Sequence, residues 1–142
     1  MSIEDIKKKR ADRKEQAAKD QAEQEEKDLE ALDSLEEAHG DSNVGTLRVE
    51  RFVKGYPLTI VFKAPSKAQY KRFCDQVSRA MEKKDTKARQ EAQDLLAESV
   101  WVYPKEEAER KAMLEVYPGL LLSIVVDAQK LVEAKKVEEG KE

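Results

Sequence analysis

The stretch Leu58-Thr59-Ile60-Val61-Phe62-Lys63-Ala64-Pro65-Ser66 decides the fold. Its large apolar residues alternate with the residues between them, which is the two-residue period of a β-strand with one buried face. Pro65 ends that strand, and Ser66 stands three residues before Gln69, the spacing of a helical capping box. The stretch therefore predicts a strand that is followed at once by a helix.

The residues before this stretch supply a partner strand. Leu47, Val49 and Val53 form a second short apolar run, and Gly55-Tyr56-Pro57 separates the two runs. Two such runs joined by a turn-rich segment are typical of a β-hairpin, here with a loop longer than the tight two-residue kind.

Four amphipathic helices are predicted after the hairpin. Their apolar residues recur at steps of three and four, which places them on one face of each helix. The first helix follows Ser66, and the second has Asp85 or Thr86 as its N-cap. The third and fourth are expected to begin at Pro104 and Pro118, because proline is favoured in the first turn of a helix.

The composition divides the chain into three parts. All the aromatic residues lie between Phe52 and Tyr117, so the part that buries surface lies around them. We predict a charged helical or partly disordered arm (1–43), a small globular domain of a hairpin plus helices (44–134) and a charged tail (135–142). The fold class is α+β and mainly helical, with a long charged N-terminal helix or arm, then the hairpin and about four short helices.

The arm lacks the apolar seam of a coiled coil. Between Ile6 and Leu29 no apolar side chain is larger than alanine. The content of Ala, Glu, Lys and Gln favours a helix, so the alternatives are a solvated helix and a partly disordered arm. Only Leu29, Leu32 and Leu35 offer it a means of docking on the rest of the chain.

Charge and composition exclude several functional classes. A net charge of −3 argues against a nucleic-acid-binding protein, which is usually strongly basic. No apolar run approaches the roughly 18 residues of a membrane span, and the N-terminus lacks the apolar core of a secretory signal. The single cysteine, Cys74, suits a reducing compartment. We expect a soluble protein of the cytoplasm that binds neither nucleic acid nor membrane.

The sequence offers little for catalysis. His39 is the only histidine and lies in the predicted linker, while Cys74 shares an apolar helix face with Phe73 and Val77. Zinc requires several Cys or His ligands, and the scattered glycines form no phosphate-binding loop. We therefore predict a protein that is not an enzyme, has no catalytic residue, metal or cofactor, and acts by binding other proteins.

Two apolar segments favour such binding. Trp101 and Tyr103 lie in an extended segment whose successive side chains face opposite sides, so the two sets do not easily share one interior. A place in the core is the alternative for these residues. Leu120–Val126 is apolar almost all round, which is typical of a central helix or of a helix covered by another chain.

Three motifs occur in a recognisable order. Ala64-Pro65-Ser66 opens a helix, the apolar stretch Leu95–Tyr103 ends in Pro104, and Val116-Tyr117-Pro118-Gly119-Leu120 leads into an apolar helix. Over about residues 50–134 this order resembles the phage tail assembly chaperones. The long charged arm is a departure from the shorter members of that family.

The resemblance implies a non-catalytic factor of virion tail morphogenesis in the host cytoplasm. Such a factor binds the tape measure protein, keeps it soluble and helps recruit the tail tube protein. We expect capture of an amphipathic client helix in an apolar groove, for which the candidate residues are Trp101, Tyr103, Tyr117, Leu121 and Val125. Self-association is a further expectation. The alternative is a structural adaptor or scaffold protein whose charged helical arm bridges partners.

Overall fold

The computed structural model of the chain describes the backbone of residues 2–140 and the side chains of residues 2–134. Within these residues the chain forms five α-helices, three strands and a 3₁₀ turn. In chain order they are α1 (Ile3–His39), the turn Asp41–Asn43, β1 (Val44–Arg48), β2 (Thr59–Lys63), α2 (Lys67–Glu82), α3 (Thr86–Val100), β3 (Trp101–Tyr103), α4 (Glu107–Val116) and α5 (Leu120–Gly140). The predicted mainly helical α+β class is confirmed.

The three strands form one antiparallel sheet in the order β1-β2-β3. β1 and β2 are the predicted hairpin, with Val44 opposite Lys63 and Arg48 opposite Thr59. The segment Trp101–Tyr103, which the sequence predicted only as extended chain, pairs with β2 as a third strand.

A bulge between β2 and β3 decides which way the aromatic residues of β3 face. Phe62 lies opposite Trp101 and Val61 lies opposite Tyr103, so Val102 is an extra residue in the ladder. Trp101 therefore joins Phe62 on one face of the sheet, and Tyr103 joins Val61 on the other. Helices cover both faces of the sheet. Side chains of β3 that point to opposite faces are therefore both covered.

The main core lies between one face of the sheet and the helices that follow it. α2 packs against α3, and α3 packs against α5. The buried cluster contains Val49, Leu58, Ile60, Phe62, Phe73, Ala92, Leu96, Ala97, Val100, Trp101, Met113, Leu120, Ile124, Val125 and Ala128.

α1 covers the opposite face of the sheet and is helical over nearly the whole predicted arm. A capping box between Ser2 and Asp5 opens it, and Gly40, with φ of 87°, ends it. Contacts with the hairpin begin near Asp20, which pairs with Lys54 of the loop between β1 and β2. Residues 3–19 are exposed throughout and extend into solvent for about 25 Å at 1.5 Å per residue.

Two helix starts differ from those predicted. α4 begins at Glu107, because Pro104 is buried at the end of β3, after a cis peptide bond. The guanidinium of Arg110 donates to the carbonyl oxygen of Pro104 at 3.0 Å, which ties this turn to the helix. α5 begins at Leu120 rather than Pro118.

The backbone of α5 is helical through Gly140, so its helix includes the described part of the segment 135–142 that the sequence set apart as a tail. Within residues 2–140 no single helix has the length and apolar content to cross a membrane. α4 and α5 reach that content only when taken together, and they are bent by 109°.

Candidate partner-binding site

The five residues predicted to line a client groove lie mostly inside the fold. Trp101 is 4% exposed and Val125 is 2% exposed, and both belong to the core cluster. Tyr117 and Leu121 are half-buried against that cluster, whereas Tyr103 lies under α1. The structure does not bring the five together on one open surface, and their role in binding stays a prediction.

The hydroxyl groups of the two tyrosines have internal hydrogen-bond partners. Tyr117 Oη donates to the carbonyl oxygen of Arg51 at 2.7 Å, and burial raises the pKa of Tyr117. Tyr103 Oη donates to Oδ1 of Asp28 at 2.7 Å. Burial and the neighbouring carboxylate raise the pKa of Tyr103 well above its usual range. Both phenols therefore stay neutral and fasten one element to another.

Asp28 joins α1 to the sheet. It is only 3% exposed, and its Oδ2 accepts from the backbone N–H groups of Leu58 at 2.8 Å and Thr59 at 3.0 Å. Its Oδ1 accepts from Tyr103 and, at 2.8 Å, from the side chain of Gln24. A buried carboxylate requires such partners on both oxygens, and here they come from three elements of the fold.

Two ion pairs flank this contact. Arg48 lies 2.6 Å from Glu25, and its hydrogen bond lowers the pKa of the Glu25 carboxyl. Lys54 lies 3.6 Å from Asp20. The carboxylates of Asp28, Glu25 and Asp20 thus all bind groups of the hairpin, and these interactions attach α1 to the rest of the fold.

An open concave surface lies between α2 and α3. Two adjoining cavities of about 360 Å³ and 130 Å³ share Gln76 and Leu95, and together we call them the α2–α3 groove. The groove is lined by Gln69, Arg72, Phe73, Gln76, Arg79, Ala80, Lys83, Asp85, Ala88, Glu91, Ala92, Leu95, Leu96 and Ser99.

Small residues leave this groove open. Ala80, Ala88 and Ala92 stand where larger side chains would fill the space between the two helices. The helix ends are fixed by hydrogen bonds, since Ser66 closes its predicted capping box and Asp85 accepts from the N–H of Ala88 at 3.0 Å. These caps fix the start of each helix that borders the groove.

Leu95 stands at the centre of the groove with 53% of its surface exposed. In the sequence, Leu95 begins the apolar stretch Leu95–Tyr103. In the structure α3 buries Leu96, Ala97 and Val100, so its buried face is turned away from Leu95. Leu95 is therefore the exposed apolar side chain of a concave surface whose floor includes the buried residues Ala92 and Leu96.

Charges along the two sides of the groove differ in sign. Arg72, Arg79 and Lys83 line the α2 side, and Glu91 lines the α3 side. None of these four makes an ion pair with another residue in the part of the chain whose side chains are described. They are available to pair with charges on a bound helix.

α5 carries a second exposed apolar surface. Ile124, Val125 and Ala128 are buried, as a central helix requires, but Leu122 is 52% exposed and Val126 is 43% exposed. Spaced four residues apart, these two form a ridge rather than a groove. One side of α5 is therefore buried in the core, and the apolar residues on its other side are exposed to solvent.

Comparison of the chain with protein-family models, with curated proteins and with solved structures gives no match. Among the described residues no three or more His, Cys, Asp or Glu side chains are grouped to hold a metal ion. The shape, apolar floor and charges of the α2–α3 groove make it the candidate binding site.

Proposed function

We propose that this chain is a non-catalytic phage tail assembly chaperone of the host cytoplasm, which binds the tape measure protein and helps recruit tail tube subunits. The α2–α3 groove, with Leu95 exposed at its centre, is the observation that carries the proposal. It supports the capture of a client helix, because an amphipathic helix docks by laying its apolar face into a groove of this kind.

The length of the groove suits a helix of about four turns. It follows α2 from Gln69 to Lys83, which corresponds to about 21 Å along a helix axis. A client helix placed there covers Leu95 with its apolar face. Covering the exposed half of a leucine contributes about 1 kcal/mol, so affinity is built from several modest contacts and the client can be released.

The charges of the groove define the chemistry of this client. Acidic residues along one flank of the helix would meet Arg72, Arg79 and Lys83, and a basic residue on the other flank would meet Glu91. This pattern fixes the direction in which the helix lies, since the reversed helix brings like charges together. The α5 ridge, Leu122 and Val126, is the surface that we assign to tail tube subunits.

Co-expression with the tape measure protein tests the proposal. We expect the wild-type chain to keep the tape measure protein soluble and to co-purify with it. Leu95→Glu places a charge in the groove and should abolish co-purification. Leu122→Glu is the matched control, because Leu122 is equally exposed, at 52%, but lies outside the groove. A wild-type chain that leaves the tape measure protein insoluble and unbound contradicts the proposal.

A structural adaptor is the second candidate function, and the exposed half of α1 favours it. Residues 3–19 form about 25 Å of helix that is exposed along its whole length. Deleting residues 2–19 tests this role without removing Asp28, which holds the rest of α1 on the sheet. Loss of partner binding in this deletion, with Leu95→Glu still binding, would favour the adaptor over the chaperone.

A further inference from the structure

Three exposed carboxylates form a row along the outer side of α1. Glu26, Asp33 and Glu37 are spaced by seven and then four residues, which places them on one side of the helix. Asp28, which binds the sheet, points the other way, because each of the three is about half a helical turn from it. None of the three makes an ion pair with the side chains that the structure describes. We call these residues the α1 acidic row.

The α2–α3 groove carries a basic row with the same spacing. Arg72, Arg79 and Lys83 line its α2 side, and they are also spaced by seven and then four residues. All three are exposed. Each row spans about 16 Å along its helix, which is shorter than the groove of about 21 Å. A helix that lies parallel to α2 can therefore bring each member of the acidic row opposite one member of the basic row.

The same alignment brings two exposed leucines together. Leu29 is 65% exposed and lies midway between the first two carboxylates of the α1 acidic row. Leu95 is 53% exposed and lies level with Gln76, which shares both cavities with it and stands midway between the two arginines. A helix in the opposite direction would shift Leu29 by about 6 Å from Leu95. The leucines therefore favour the parallel direction.

We propose that α1 of a second copy of this chain occupies the α2–α3 groove, parallel to α2. Charge complementarity selects this occupant, because the acidic row repeats the spacing of the basic row and reverses its sign. Leu29 then covers Leu95 of the partner subunit. The ion pairs across the contact are Glu26 with Arg72 of the partner subunit, Asp33 with Arg79 of the partner subunit, and Glu37 with Lys83 of the partner subunit.

This contact regulates access to the groove. It is heterologous, because the surface that each copy offers differs from the surface that it covers, so copies associate head to tail. A client helix and α1 of a second copy compete for the same groove, and self-association covers Leu95 until a client displaces that copy. The competition rests on the proposed function, whereas the contact between copies does not.

Analytical ultracentrifugation of the full chain at low ionic strength, over a dilution series, tests the contact. We expect the wild type to associate reversibly and weakly, and to dissociate in high salt, because exposed ion pairs are weak and screened. Asp33→Arg reverses the central charge of the acidic row and should weaken association about tenfold. Asp12→Arg makes the same change at an exposed position of α1 outside the row, and should leave association unchanged.

Two double variants test the pairing itself. Glu26→Arg with Asp33→Arg reverses the row, and Arg72→Glu with Arg79→Glu reverses the groove. Each double variant alone should be monomeric, because its row and its groove carry the same sign. An equimolar mixture should associate, because the reversed row of one variant fits the reversed groove of the other.

Three results would overturn the inference. They are a wild-type chain that is monomeric at every concentration, an association that Asp33→Arg leaves unchanged, and a mixture of the double variants that stays monomeric. None of these measurements contains the tape measure protein, so their failure leaves the proposed chaperone function to its own test. Conversely, a chain that associates as expected but does not bind the tape measure protein would contradict only the proposed function.

Discussion

Replacing Asp28 with alanine is the sharpest test of how the charged arm is attached. The substitution removes the acceptor of two backbone N–H groups, those of Leu58 and Thr59, and of the hydroxyl of Tyr103. Because the α1 contact covers these donors, they lose a partner without gaining full access to water. The helix should then separate from the sheet at a free-energy cost that unfolding measurements detect.

The magnitude follows from the three of the four donors to Asp28 that lie on the sheet side of the contact; the fourth, Gln24, is on α1 itself. A buried donor left unpaired costs about 1–3 kcal/mol, and hydrogen bonds to a charged group lie in the upper part of the range. Relief from burying the carboxylate offsets part of this cost, so we expect Asp28→Ala to lower the free energy of unfolding by about 3–4 kcal/mol. That loss is large beside the 5–15 kcal/mol that is typical of a whole domain.

Urea unfolding followed by far-ultraviolet circular dichroism measures the effect. Asp33→Ala is the control on the same helix, because Asp33 is exposed and has no interaction with the sheet, and it should change stability by less than about 0.5 kcal/mol. A double-mutant cycle with Tyr103→Phe should show that the two losses are not additive. If Asp28→Ala costs no more than Asp33→Ala, the carboxylate does not join α1 to the sheet.

Three further predictions concern other parts of the fold. Gly45→Ala should destabilise the protein by about 1–3 kcal/mol in thermal unfolding, because a β-carbon there would lie 2.6 Å from Cε2 of Phe62; an unchanged melting temperature contradicts this packing. Since folding raises the pKa of Tyr103, the folded state keeps a proton that the unfolded chain releases above about pH 10, and stability should fall as pH rises past that value. Tyr103→Phe should make that fall shallower, and an identical pH profile would refute the assignment. Asp85→Ala removes the N-cap of α3 and should cost about 1 kcal/mol by urea titration, whereas Asp85→Asn should retain most of the stability.

Much of the fold could be predicted because local signals decide it. The capping box at Ser66 and the N-cap at Asp85 set the starts of α2 and α3 as expected. The hairpin follows from the alternation around Ile60 and the turn residues before it. These features depend on neighbouring residues only, so one sequence suffices to find them.

Local sequence patterns did not predict the third strand. Trp101–Tyr103 becomes a strand only because α3 delivers it beside β2, and the bulge at Val102 then sends Trp101 and Tyr103 to opposite faces. The helix start expected at Pro104 was wrong for the same reason. Pro104 is buried directly after β3, and α4 begins only at Glu107. Tertiary pairing overrides the preference of proline for a first helical turn.

The sequence predicted that apolar surface is left exposed, but it did not predict where on the fold that surface lies. The sequence indicated surplus apolar surface, and the exposed leucines Leu95 and Leu122 provide it. It did not indicate that Asp28 is buried, because a carboxylate in an acidic helix is usually solvated. The available signal was spacing, since Asp28 lies four and seven residues before Leu32 and Leu35 on one face of α1.

Site-specific photo-crosslinking shows whether the α2–α3 groove holds a helix of the tape measure protein. A photoreactive amino acid is placed at position 95 in one variant and at position 122 in the other, and each chain is irradiated in cells that make the tape measure protein. We predict a crosslink from position 95 to one amphipathic helix of the tape measure protein, acidic along one flank, and none from position 122. Crosslinking to that protein from position 122 alone, or from neither position, would contradict it.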